Sequence, residues 1–254
     1  MLRPSLRFLV IVIASCLFMS LATAEAKARL NFFHAVANGP AVDIQLRSKL
    51  NTTAHTIFTD LDFAEYTDYY HAEGGMYDVR VVAHDDTSKV IMEVENLVVI
   101  TGVDFTMVLT GQLSDLEKYP LRIITFIDDN LDPGAGQAKF RFIHAAAGFS
   151  PLDVMLGGQK IFSKVSFGEH GEIVGTGYRE VDTDRYTLLV MERGLTFDSS
   201  TLDLEDGDVL TVYAVGLRGS SEYRPTLVSQ ITRESDTSPA TTLSPWSTFL
   251  RGAR

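Results

Sequence analysis

Residues Ala28–Asp43 read ARLNFFHAVANGPAVD, and residues Ala138–Asp153 read AKFRFIHAAAGFSPLD. Laid over one another at an offset of 110, the two stretches share Ala28, Phe32, His34, Ala35, Ala37 and Asp43 with Ala138, Phe142, His144, Ala145, Ala147 and Asp153. The match runs on with small slips. Phe58 and Phe63 pair with Phe162 and Phe167, and Tyr77 pairs with Tyr186. Leu97, Gly102, Thr106, Gly111 and Pro120 pair with Leu202, Gly207, Thr211, Gly216 and Pro225. The offset wanders between 104 and 110. Slips of that size are loop insertions in a shared fold, so the chain is a duplication.

Within each copy the apolar residues alternate. Phe140, Phe142 and His144 alternate with Arg141 and Ile143, and Phe105, Met107 and Leu109 alternate with Thr106, Val108 and Thr110. Period-two runs rich in Val, Ile, Phe, Tyr and Thr, split by Gly, Asp and Pro, are strands. About seven fit in each copy. The sequence predicts an all-β fold: two tandem immunoglobulin-like antiparallel β-sandwich domains behind a signal peptide.

The start of the chain predicts export. Arg3 and Arg7 precede an apolar run from Phe8 to Leu21, and Ala22-Thr23-Ala24 follows it. That is the three-part pattern of a secretory signal, covering residues 1–24, with cleavage expected before Glu25. Ile13-Ala14-Ser15-Cys16 resembles a lipobox, so lipid anchoring through Cys16 is an alternative. The apolar Leu17–Leu21 after it argues against that, because a lipoprotein normally continues with a polar tether. Cys16 is the only cysteine, so a processed chain has no disulfide and must rely on packed cores. The expected location is periplasm, cell envelope or medium.

The expected boundaries are 25–127 for the first repeat, 128–137 for an acidic, Gly- and Pro-containing linker, 138–234 for the second repeat, and 235–254 for a flexible tail. The tail ends in Trp246, Phe249, Leu250, Arg251 and Arg254. The net charge of −11 disfavours nucleic acid and anionic lipid as partners.

Several of these residues are familiar together. The His-Ala opening with a hydrophobic-Asp pair nine residues past the His resembles the DUF4397 family. So do the Gly75–Val81 strand, GMYDVRV, and the Gly102–Gly111 and Gly207–Gly216 strands. Asn31 stands where an Arg is common, and Asp184-Arg185-Tyr186 lacks the Gly expected before its Tyr. The resemblance covers residues 28–234 in two copies. It implies an exported bacterial β-sandwich protein and no particular activity. A more distant likeness, in architecture alone, is to the periplasmic accessory protein of alginate O-acetylation.

The candidate chemistry is sparse. His34 with Asp43, and His144 with Asp153, have the makings of half a nucleophilic triad. No Gly-x-Ser-x-Gly elbow or mature Cys completes it, so both pairs are expected to be structural pins, the His on loop carbonyls and the Asp on turn amides. Asp128, Asp129, Asn130 and Asp132 in the linker are the candidate calcium ligands, and no other cofactor is expected. Asp203–Asp208 misses the calcium-loop spacing, since Gly207 falls at position 5. Tyr66, Asp68, Tyr69, Tyr70 and His71 form the densest aromatic and polar cluster, a candidate ligand platform because rings stack on sugars while acids accept their hydroxyls.

The expected function is therefore a non-enzymatic envelope module that binds a polysaccharide or an envelope protein. The alternatives are an accessory subunit of polysaccharide modification and, third, a stand-alone hydrolase.

Overall fold

A computed structural model describes residues 26–51, 53–171 and 175–232. The segment 1–24 expected to be a signal peptide, Cys16 and the expected 235–254 tail lie outside the described residues. The first repeat contains β1 (Ala28–His34), β2 (Val42–Ser48), β3 (Ala54–Leu61), β4 (Tyr70–Ala72), β5 (Gly75–Ala83), β6 (Val90–Val99), β7 (Asp104–Thr110) and β8 (Arg122–Asp128). The second contains β9 (Gln137–His144), β10 (Leu152–Leu156), β11 (Gln159–Val165), β12 (Tyr178–Asp182), β13 (Arg185–Glu192), β14 (Leu195–Asp203), β15 (Val209–Val215) and β16 (Thr226–Thr232). No helix among the described residues is long and apolar enough to cross a membrane.

Each repeat is a sandwich of two four-stranded sheets. The orders are β4-β1-β7-β8 and β3-β2-β5-β6 in the first, and β12-β9-β15-β16 and β11-β10-β13-β14 in the second. Adding eight to each strand of the first repeat gives the second, so the duplication holds at the level of topology. It also holds in register: His34 lies opposite Leu109 as His144 lies opposite Ala214. Each repeat has eight strands where the sequence suggested about seven. The sheets are mainly antiparallel, but β1 pairs with β7, and β9 with β15, in parallel. Parallel neighbours need a long crossover, and here the crossover is the rest of the sandwich. Alternation alone shows a strand's two faces but not its neighbour's direction.

Leu30, Phe32, Ile44, Val79, Val81 and Met107 fill the first core, and Phe140, Phe142, Val154, Val190 and Val212 fill the second. A third apolar cluster joins the repeats. Phe33, Val108 and Phe126 of the first meet Ile143, Tyr213 and Val215 of the second. The Phe33 and Tyr213 rings stack with centroids 3.9 Å apart. The sheets carrying β1 and β9 are therefore covered on both faces, which is why seven of the eight residues of β9 are buried. Gly111 and Gly216 close β7 and β15 identically, at φ 123° and 118°. A side chain there would come within 2.6 Å of the Pro120 or Arg224 carbonyl oxygen, so both positions require glycine.

Candidate functional site

The His–Asp spacing repeated in the two copies does not bring His and Asp together. His34 lies at the end of β1, where its buried ring bridges the following loop. Nδ1 accepts from the Val36 amide at 3.2 Å, and Nε2 donates to the Pro40 carbonyl at 3.1 Å. His144 repeats the pattern with Ala146 and Ser150, both at 3.3 Å. Burial lowers the pKa of both rings, that of His144 to about 4. Both nitrogens of each ring are committed to backbone.

Asp43 and Asp153 lie on the next strand and reach the neighbouring edge strand. Asp43 accepts from the Asp60 amide at 3.0 Å, and Asp153 from the Lys164 amide at 2.9 Å. Asp60 and Lys164 both have left-handed backbones, with φ near 57° and 56°. In both repeats the carboxylate thus holds the amide of a strained residue in an edge strand that is bulged against its neighbour. The remaining valence differs between copies. Asp43 accepts from His84 Nδ1 at 2.7 Å, raising the His84 pKa, whereas Asp153 takes Lys160 at 2.8 Å. The His84 contact has no signature in the sequence, because it depends on the β2–β5 register.

The four candidate calcium residues do not converge. Strand β8 runs through Asp128, so the connection proper covers 129–136. Asp129 pairs with Lys139 at 2.8 Å, and Asp132 accepts from the Gly134 amide at 2.8 Å. Asn130 donates to Tyr69 Oη and to Asp104 Oδ2. Asp128 points away into the interface between repeats. Among the described residues, no group of three His, Cys, Asp or Glu is placed to hold a metal.

Asp128 and Arg141 form a densely hydrogen-bonded group between the repeats. Both side chains are almost fully removed from solvent and lie 2.7 Å apart. All five guanidinium hydrogens have an acceptor. Nε donates to Thr211 Oγ1, Nη1 to the Ile127 and Thr176 carbonyls, and Nη2 to Thr106 Oγ1 and Asp128. Asp128 also accepts from the Thr106 hydroxyl and from Tyr69 Oη, each at 2.8 Å. The guanidinium lies 4.3 Å from the Tyr178 ring centroid. Desolvation works against the cation, but Tyr178, Asp128 and Tyr213 outweigh it and the Arg141 pKa is raised. Burial likewise pushes Tyr178 up to about 12.

The Tyr-rich segment does not form one strip. Tyr69 is drawn inward to Asp128, with Arg29 over its ring at 4.9 Å. Tyr66 bridges Phe33 and is partly exposed. Asp68 is exposed. Only Tyr70 and His71, on edge strand β4, face a shared cleft. That cleft has a volume of about 280 Å³ and opens where β4 faces the other edge strand, β3. Lys27, His55, Glu73 and Tyr77 complete its chemistry. Lys27 pairs with Glu73 at 2.8 Å, and Tyr77 Oη donates to the Glu73 carbonyl. Tyr70 rests its ring edge on Phe58, 6.3 Å between centroids, so its position is fixed by the core.

Register explains the scatter. Tyr66 bridges Phe33 as His170 bridges Ile143, and Tyr178 lies opposite Arg141. Leu30 lies opposite Tyr70, which places Tyr69 beside Asn31 in the equivalent position. Tyr69 and Tyr178 are therefore counterparts, separated from their bridges by three and eight residues respectively. An insertion in the second copy hides the equivalence from a sequence comparison.

A family model for a domain of unknown function, DUF4397, matches residues 28–153 and 141–242. No curated protein matches the chain. Two solved structures are similar over most of the chain at low identity. One is a carbohydrate-binding module of family CBM26 from Eubacterium rectale, solved with maltoheptaose. It is 10% identical, with 83% of this chain and 98% of that one covered and a TM-score of 0.26. The other is the fimbrial anchor protein Mfa2 from Porphyromonas gingivalis, 8% identical, with 82% and 98% covered and a TM-score of 0.24. Scores this low carry no assignment of ligand or partner.

Proposed function

We propose that this chain, which belongs to the DUF4397 family in two tandem copies, is an exported, non-enzymatic binding module of the cell envelope. Its ligand-binding element is the β3–β4 cleft of the first repeat. The observation that carries this reading is the cleft's lining. Tyr70 and Tyr77 offer ring surface, while His55, His71, Lys27 and Glu73 offer donors and acceptors around it. Flat rings beside exchangeable hydrogen-bonding groups suit a polyhydroxylated chain such as an envelope polysaccharide. The non-catalytic part of the reading rests on His34 and His144, whose ring nitrogens are all spent on backbone.

His55 and His71 are exposed, so replacing both with Ala leaves the core intact. Binding of the purified chain to a polysaccharide array, followed by titration of the best ligand, should weaken at least tenfold in the double variant. Unchanged binding places the site elsewhere. If no polysaccharide binds, pull-down from intact envelopes with wild type and double variant tests an envelope protein at the same cleft.

A further inference from the structure

The face between the repeats is quasi-symmetric in backbone register, but the two copies place different residues on it. Asn31 is in register with Thr106, as Arg141 is with Thr211. Asp128 lies opposite Asp104, as Thr232 lies opposite Val209. Position 31 therefore corresponds to 141, and position 128 to 232. Arg141 and Asp128 are in contact across the interface, and Asn31 and Thr232 are the positions equivalent to them by register. The first two form a buried ion pair. The other two carry no charge.

The neutral half is less completely bonded. Asn31 Nδ2 donates to Thr106 Oγ1 at 3.2 Å, while its Oδ1 is buried without a protein partner. The half-buried Thr232 hydroxyl lies 3.2 Å from Asn130 Oδ1. Around these polar groups the packing residues differ as well, since register makes Phe33 equivalent to Ile143, Val108 to Tyr213 and Phe126 to Gln230.

We infer that Arg141 and Asp128 are the specificity pair of a repeat-to-repeat docking face, matching the β1–β7–β8 face of a first repeat to the β9–β15–β16 face of a second. The fitting partner is a repeat of opposite type. Two second-repeat faces brought together would bury two Arg141 side chains with Thr232 where each carboxylate should be. Two first-repeat faces would bury two Asp128 side chains opposite Asn31. An unpaired buried charge is far more costly than the pair is favourable, so the charges act chiefly by excluding these like-with-like arrangements.

The test uses the full chain and reads thermal unfolding. Arg141→Met and Asp128→Leu should each lower Tm by about 10 °C, and the two together should return most of it, because an apolar pair leaves no orphaned charge. Asn31→Arg should lower Tm by a similar amount, and adding Thr232→Asp should restore at least half, because it supplies the carboxylate that the quasi-symmetry calls for. Losses at 141 and 128 that simply add, or a Thr232→Asp change that fails to improve Asn31→Arg, would overturn the inference. Should neither Asn31→Arg chain fold, the 141/128 cycle decides alone.

Discussion

The two repeats share strand order, register and closing glycines, yet they solve the same positions with different chemistry. At the position after Leu30 or Phe140, the first repeat has Asn31 and the second Arg141. On the neighbouring strand the first supplies Asp128 and the second Thr232. At the bulge pin, Asp43 takes an imidazole and Asp153 an ammonium. At the edge, Tyr70 and His71 open onto a cleft in the first repeat, while the second carries an insertion between His170 and Tyr178. Duplication fixed the scaffold, and divergence is concentrated where the copies face each other or face solvent.

Substitutions at the interface between the repeats should have the largest effects. Arg141→Ala leaves Asp128 buried without its cation, and we expect it to cost about 3–5 kcal/mol of stability by denaturant titration. Asn31→Ala, at the equivalent position, should cost about 1 kcal/mol or less, because it removes one neutral hydrogen bond. Phe33→Ala opens a cavity against Tyr213 and should cost about 3–5 kcal/mol, with both sandwiches destabilised together.

The His pins give a pH signature. His144 is held neutral, its pKa pushed from 6.5 to about 4 by burial. The unfolded chain therefore takes up this proton first. The stabilisation is complete above about pH 6.5 and is lost as pH falls from there towards 4, by about 3 kcal/mol for this residue. His34 adds to the loss in the same direction. His84 has the opposite sign. Its raised pKa stabilises the fold at low pH, and that contribution disappears as pH rises through the folded pKa. Chemical denaturation from pH 4 to 8 should show stability rising across pH 4–6.5 in wild type and a shallower rise in His144→Ala. An equal slope in both would remove the assignment.

The smallest effects belong to the bulge pins and the cleft. Asp43→Asn and Asp153→Asn should each cost about 1 kcal/mol. Asp43→Asn alone should reduce the His84 contribution, leaving the smaller part due to Asp60, which a histidine NMR titration reads directly. His55→Ala with His71→Ala should leave stability within about 0.5 kcal/mol of wild type, so that any binding loss is local.

The legible part of this molecule was whatever local pattern could encode. Alternation marked the strands, and repetition marked the duplication. The His34 and His144 positions, at a strand end before a turn, pointed to rings bonding loop carbonyls. Contacts across sheets were not legible. Asp128 reads as part of an acidic linker until the register aims it at Arg141. Tyr69 reads as a member of an exposed cluster until an insertion in the other copy is allowed for and Tyr178 becomes its counterpart. Asn31 was the one visible signal, a neutral residue where the second copy has Arg141, but only the opposing sheet gives it meaning. The cleft joins residues from β2, β3, β4 and β5, and no single segment announces it.

The two sandwiches meet as one body through their facing sheets. Differential scanning calorimetry of the full chain tests it most directly. A single transition whose van't Hoff and calorimetric enthalpies agree is the expected result, since loss of either repeat would expose the Phe33–Tyr213 stack and strand Arg141 or Asp128. Two resolved transitions, with one repeat staying folded after the other has melted, would contradict it.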